Sequence, residues 1–112
     1  MRGVRIATFA AGAALTLALA PVAHADPDEA FAETLHTFGI YGQKDFNAWI
    51  GKLTCKRLRN GHDADAFASA DFVFGQLQKG SSTDQAWQFV GAAIPVYCPD
   101  QMPVLQRAAD QR

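Results

Sequence analysis

The sequence lacks every short motif that marks a common type of enzyme active site. Its 112 residues contain no G-x-S-x-G nucleophile elbow, no phosphate-binding P-loop, no HExxH pair and no glycine-rich dinucleotide turn. Glutamate is scarce as well, since only Glu29 and Glu33 follow residue 25, and the aspartates occur at expected helix caps and polar faces. These absences predict a protein that is not an enzyme and that carries no cofactor.

The N-terminal apolar segment is too short to cross a membrane. Two arginines precede an apolar run of about 15 residues (6–20), whereas a membrane-spanning helix needs about 20. Residues 23–25, Ala-His-Ala, then place small side chains at the −3 and −1 positions of a signal-peptidase site. We therefore expect residues 1–25 to be a secretory signal peptide that is cleaved before Asp26. The protein would then be secreted or associated with the cell envelope, with no transmembrane segment.

The remaining chain, residues 26–112, is expected to form a single small domain. It carries eight basic and eleven acidic residues, a formal charge of −3. This mild acidity argues against binding to nucleic acid or to anionic membranes through charge alone. No repeat, low-complexity tract or linker divides the domain.

The chain has two cysteines, Cys55 and Cys98, which lie 43 positions apart. In an exported chain, two cysteines without C-x-x-C spacing predict a structural disulfide. Closing a loop of this length stabilises a domain by about 4 kcal/mol in the chain-entropy model, against a net stability of about 5–15 kcal/mol. The alternative is a zinc site that combines these cysteines with His36 and His62, and export favours the disulfide over it.

The spacing of apolar residues predicts an all-α domain, a bundle of four to five short helices stapled by the Cys55–Cys98 disulfide. The predicted helices cover residues 26–38, 44–60, 63–78, 82–98 and, as a short fifth, 103–109. No segment alternates in the pattern of a β-strand.

Helix start and stop signals support these boundaries. Asp26 followed by Pro27 is a typical helix start, and Ser82 with Gln85 forms a capping-box pattern. Gly39-Ile40 is typical of a Schellman stop, and Lys79-Gly80 is expected to close the third helix.

The second predicted helix has two apolar sides and one narrow charged stripe, so we expect it to be the central helix. The charged stripe consists of Asp45, Lys52, Lys56 and Arg59. The expected packing surface consists of Phe46, Trp49, Ile50 and Leu53. The opposite side is a ridge of small residues, Ala48, Gly51 and Cys55, which would allow close approach of another helix.

Several of these residues occur in an order that resembles a family of small exported actinobacterial proteins, chiefly mycobacterial, known as domain of unknown function 732. The similar residues are Asp26, Asp28, Phe31, Leu35, Gly39-Ile40, Cys55, Leu58, Gly61 and the closing segment Ala93 to Pro99. The resemblance implies a secreted helical domain with a disulfide. It implies no activity and no functional residues.

Two kinds of site can be considered from the side chains present. His36, Tyr41 and His62 are candidates for an axial haem ligand in a noncovalent carrier, although surface positions explain both histidines more simply. Tyr41 and Phe72 lie outside the clear apolar stripes, and with Lys52, Lys56 and Arg59 they form the candidate contact surface. We therefore expect a non-catalytic protein that contacts an unidentified protein partner at the cell envelope. The alternative is a carrier of a small apolar ligand, a lipid or haem, in a pocket between helices.

The cleavage site gives the first testable prediction. Protein recovered from the culture medium should begin at Asp26, as checked by N-terminal sequencing. Replacing Ala25 with leucine should block processing, because the −1 position accepts only small side chains. The control His24→Leu places the same bulk at −2 and should be processed normally. Equal processing of both variants would contradict this site.

Overall fold

A computed structural model describes residues 26–111, and this part of the chain folds into five α-helices. The helices are α1 (Pro27–Thr37), α2 (Lys44–Arg59), α3 (Ala66–Gln76), α4 (Thr83–Tyr97) and α5 (Met102–Gln111), with a 3₁₀ turn at Pro99–Gln101. No strand occurs among the described residues, which confirms the all-α prediction. The expected fifth helix is present and extends to residue 111. The predicted signal peptide lies outside the described residues.

Both ends of α1 form as the sequence indicates. The Asp26 side chain caps the first turn by accepting a hydrogen bond from a backbone N–H. At the other end Gly39 adopts a positive φ of 77°, which glycine tolerates without strain. The Ile40 N–H then donates to the Leu35 carbonyl at 3.0 Å, the bond that defines a Schellman stop, and the Ile40 side chain is buried. The prediction for this helix is confirmed.

The core lies where α2 and α4 meet the other helices. α2 packs against α1, α3 and α4, whereas α4 packs against every other helix, so the expected central position of α2 is shared with α4. Phe31 of α1 and Phe89 of α4 meet edge to face, with ring centroids 5.2 Å apart. The large apolar side chains with no exposed surface are Phe31, Leu35, Val73, Phe89, Val90 and Ile94.

The small-residue ridge of α2 faces α4, as predicted. Ala48, Gly51 and Cys55 are all buried. Gly51 permits close approach, since a Cβ atom at this position would lie 2.9 Å from Cε2 of Tyr97. One turn further along, Cys55 forms the predicted disulfide with Cys98, their Cα atoms 5.8 Å apart. The two contacts fix the face that α2 presents to the end of α4.

The expected packing surface on the other side of α2 is wrong for two of its four residues. Ile50 is buried and Leu53 is half-buried, but Phe46 and Trp49 are exposed. The bundle is too small to surround α2. The neighbouring helices cover its small-residue side and Ile50, and no described element covers its aromatic side.

The predicted end of α3 is also wrong. The helix ends at Gln76, because Leu77 has an extended ψ of 163° although its N–H still donates to the Val73 carbonyl. Gly80 has a positive φ of 95° and belongs to a turn closed by Ser81 N–H and the Gln78 carbonyl. The Lys79-Gly80 pair thus marks a connecting turn instead of a helix end.

A pair of glycine substitutions tests the close approach of α2 and α4. Gly51→Ala should destabilise the fold by about 1–3 kcal/mol, because its methyl group would overlap the Tyr97 ring. Gly75→Ala is the matched control in α3, where no atom lies within 4 Å of the added Cβ, and it should stabilise by about 0.5–1 kcal/mol. Urea unfolding measures both changes. Equal effects from the two substitutions would contradict the close approach.

Candidate interaction surface

Three exposed aromatic side chains, Tyr41, Phe46 and Trp49, form what we call the aromatic surface. Their exposed fractions are 61%, 42% and 57%. Phe46 and Trp49 are three residues apart on α2 and therefore share one helix face, with ring centroids 6.1 Å apart. Isolated exposed apolar residues are common in proteins, but neighbouring large aromatics suggest a binding surface.

Tyr41 is held at this surface by two local contacts. Its ring lies against the His36 ring at a centroid distance of 5.1 Å. Its carbonyl accepts a hydrogen bond of 3.4 Å from Nδ2 of the buried Asn47. The loop between α1 and α2 is thus tied to both helices, and Tyr41 is presented from a fixed backbone.

An open groove of about 240 Å³ borders the aromatic surface. Its walls are the loop at residues 39–43, the first turn of α2 and the segment that follows α3. Its apolar side chains are Ile40, Tyr41, Phe46 and Leu77. Its polar side chains are Gln43, Asn47, Gln76, Gln78 and Ser81. The groove therefore combines aromatic walls with amide and hydroxyl groups.

The three candidate haem ligands are not brought together. His36 and Tyr41 are in ring contact beside the groove, and Tyr41 also lines it. His62 is exposed and follows the end of α2, where its N–H donates to Oδ1 of Asn60. One candidate pair is therefore assembled, and the third residue belongs to a different loop.

The candidate basic residues remain on one exposed stripe of α2, but two of the three are engaged. Nζ of Lys52 lies 3.2 Å from Oδ2 of Asp28, and the Arg59 guanidinium pairs with Asp100. The Asp100 carboxyl is held at a pKa well below its usual range by hydrogen bonds from Arg59 and Gln101. Within residues 26–111 Lys56 forms no salt bridge, so it is the cation of this stripe that is available to a partner.

Phe72, the remaining candidate contact residue, is half-buried and covered by a cation. The Arg57 guanidinium lies 4.1 Å from the centre of its ring. Arg57 also forms two hydrogen bonds with the buried Asp63, at 2.9 and 3.1 Å, and the buried Ser69 hydroxyl donates to the same carboxylate at 3.0 Å. Phe72 thus belongs to the structure that joins α2 to α3.

Sequence reasoning missed this polar cluster because it placed the aspartates at helix caps and on polar faces. A buried carboxylate is tolerated only when its oxygens are paired and hydrogen-bonded. One sequence signal could have predicted it. Arg57 and Asp63 lie six residues apart on either side of the helix end at Gly61, a spacing that allows a salt bridge across the turn.

A second network joins α1, α2 and α4. The Tyr97 hydroxyl donates to Oδ1 of Asp28 at 2.7 Å, and Lys52 binds the other oxygen. The Tyr97 bond, with help from Lys52, lowers the pKa of Asp28 below its ordinary value of 3.8. Burial and the bond to Asp28 raise the pKa of Tyr97 well above its ordinary value of 10.0. The phenol stays protonated and the carboxyl stays ionised, so the pair is a stable link between helices.

Residues 26–111 offer few ligands for a metal ion. Both cysteines are joined in the disulfide, so they supply no thiolate, and the zinc interpretation is wrong on that point. Among the described residues no three histidine, cysteine or acidic side chains are grouped to hold a metal ion. No helix in this part of the chain has the length and apolar character needed to span a membrane.

The fold and the surface together define a small, disulfide-linked helical domain whose candidate site lies on its outside. Residues 27–100 match the family described as Protein of unknown function (DUF732), and the chain belongs to that family. It is 46% identical over 109 residues to an uncharacterized protein of Mycobacterium tuberculosis strain CDC 1551 / Oshkosh, covering 96% of this chain and 97% of the relative. An uncharacterized protein of strain ATCC 25618 / H37Rv matches to the same extent. No solved structure matches the chain.

The Asp28–Tyr97 link predicts a defined pH response. Because the pKa of Asp28 is lowered by folding, its contribution to stability is complete above about pH 4 and is lost as pH falls through the lowered pKa. Tyr97→Phe should move the pKa of Asp28 back toward 3.8 and flatten this loss of stability in acid. Carboxyl-carbon NMR titration measures the pKa, and urea unfolding at several pH values measures the stability.

The control for this experiment is Tyr41→Phe, which removes an exposed phenol that has no contact with Asp28. It should leave the Asp28 titration unchanged. An unchanged titration in Tyr97→Phe as well would contradict the importance of the hydrogen bond.

Proposed function

We propose that this protein is secreted, is not an enzyme, and acts at or outside the cell envelope by binding another protein through its aromatic surface. The observation that carries the proposal is the joint exposure of Tyr41, Phe46 and Trp49 on a rigid helix and a tied loop. Tyrosine and tryptophan are enriched among the residues that dominate binding energy at protein interfaces. Their exposure costs free energy in water, which a partner would recover.

The geometry of the surface favours a protein partner. Phe46 and Trp49 stand on α2, whose other side is linked to α4 by the disulfide, so the backbone that carries them is ordered before binding. Lys56 is exposed on the same helix and lacks an internal salt bridge among the described residues. An aromatic centre with a charged rim is the usual composition of a transient interface.

Secretion is supported by three features of the chain. The leader has the charge, apolar length and small residues of a signal peptide. The first helix begins at Pro27 with Asp26 as its cap, so cleavage before Asp26 would leave a complete folded domain. The disulfide suits an oxidising compartment.

The alternative function, carriage of a lipid or haem, has less support. It requires an apolar cavity, and typical small-molecule pockets have volumes of about 300–1,000 Å³. The groove beside Tyr41 is open to solvent and measures about 240 Å³, and five of its lining side chains are polar. The contact of Tyr41 with His36 is the observation that favours this alternative. Adding haemin to the purified protein and finding no Soret shift would remove the haem version of this alternative.

The protein-binding proposal is tested by site-specific cross-linking in the producing cells. A photoreactive phenylalanine analogue at position 46 should give a discrete cross-linked species, whereas the same analogue at position 102 should not, since Met102 is equally exposed but lies on α5. The cross-linked partner is then purified. Trp49→Ala should weaken its binding by a factor of about 30 or more, the loss of roughly 2 kcal/mol expected for a central aromatic.

Met102→Ala is the control for the affinity measurement and should change binding less than about twofold. Both substituted side chains are exposed, so neither variant should lower the melting temperature by more than a few degrees. Equal losses of affinity, or no cross-link at position 46, would contradict the assignment of this surface.

A further inference from the structure

The groove beside the aromatic surface has a lining suited to an uncharged polar ligand. Within residues 26–111, no side chain that lines it is charged at neutral pH. Its polar groups are carboxamides and hydroxyls, each of which can both donate and accept hydrogen bonds. An anion would find no cation to pair with here, and a cation would find no carboxylate.

Asn47 is the key residue of this groove because its side chain is buried but incompletely hydrogen-bonded. Only 7% of its surface is exposed. Its Nδ2 donates a long bond of 3.4 Å to the Tyr41 carbonyl, while its Oδ1 accepts none from the described residues. Buried polar atoms in native proteins normally have a partner, and leaving one unpaired costs about 1–3 kcal/mol. A ligand in the groove that donates a hydrogen bond would supply that partner.

Three further carboxamides of the groove are exposed and have no partner among the described residues. The side chains of Gln43, Gln76 and Gln78 form no hydrogen bonds with described residues, and Gln43 does not cap the helix α2 that follows it. These three side chains can therefore donate hydrogen bonds to a ligand and accept hydrogen bonds from it. The Tyr41 and Phe46 rings supply apolar walls on the same groove.

We propose that this groove binds a neutral saccharide unit. Sugar hydroxyls donate and accept hydrogen bonds as carboxamides do, and one hydroxyl donates to Oδ1 of Asn47. The C–H face of the sugar ring packs on Tyr41 or Phe46, whose ring faces are electron-rich. This site shares Tyr41 and Phe46 with the protein-binding surface, whereas Trp49 does not line the groove.

Other ligand classes fit the groove less well. A purely apolar ligand would remove the carboxamides from water and leave Asn47 Oδ1 unpaired, which is costly. One way to bind an extended peptide is to add it as a strand to a sheet edge, and the described walls are helix ends and a turn that offer no such edge. A sugar ring needs neither an apolar enclosure nor a strand edge.

The test uses protein purified after expression from the full-length coding sequence. Maltotriose and α-mannotriose are each added at about 10 mM, because a few hydrogen bonds and one stacked ring give millimolar affinity. Saturation-transfer NMR should show transfer to the ring protons of at least one of them. An acetylated Ala-Gly-Ala amide and benzene serve as the uncharged peptide and apolar probes under the same conditions, and neither should bind.

Two variants locate the site. Asn47→Ala should weaken saccharide binding by about tenfold or more, and Gln76→Ala by about two- to tenfold, the value of one hydrogen bond. Gln76 is exposed, so its variant keeps the test valid if Asn47→Ala does not fold. Gln88→Ala removes an exposed glutamine outside the groove and should leave binding unchanged.

Three results would overturn the proposal. The first is absence of transfer to either saccharide with the folded protein. The second is saccharide binding that Gln76→Ala and Asn47→Ala both leave unaltered. The third is binding of the peptide or of benzene that displaces the sugar, which would assign the groove to that class instead.

Discussion

The close crossing of α2 and α4 is the constraint on which the rest of the structure depends. Two features make this crossing. The Cys55–Cys98 disulfide joins the helices covalently, and Gly51 has no side chain that would keep Tyr97 away. A chain this short buries a small apolar core, so a link worth about 4 kcal/mol is a large share of its net stability. Tyr97 lies at the same crossing, where its ring contacts Phe31 and its hydroxyl bonds Asp28.

The same crossing explains why aromatic side chains are exposed. The small-residue side of α2 packs against α4, and the five short helices do not cover the opposite side. Phe46 and Trp49 are left in water on a helix that cannot rotate to bury them, because the disulfide fixes its orientation. We propose that the exposure is functional, and the tied position of Tyr41 beside them is consistent with that proposal.

Prediction from sequence succeeded for most local signals, with the Lys79-Gly80 stop as the exception. The Asp26 cap, the Gly39-Ile40 stop and the capping box from Ser82 to Gln85 all form as expected, because each depends on hydrogen bonds within one helical turn. It failed for side chains whose burial depends on which helix packs against them. Phe46 and Trp49 are as apolar as buried residues, and Ser69 is as polar as exposed ones, so only the neighbouring helices decide their burial.

The sequence alone determined the helical class, the order of the helices and the pairing of the two cysteines, since these follow from periodicity, caps and the presence of one cysteine pair. The tertiary structure decided which aromatic residues face solvent, which cations remain available and where Asn47 is left with an unpaired oxygen. The physical reason is that burial and pairing are properties of contacts between distant segments. The α2–α4 crossing sets those contacts, and no short stretch of sequence encodes them.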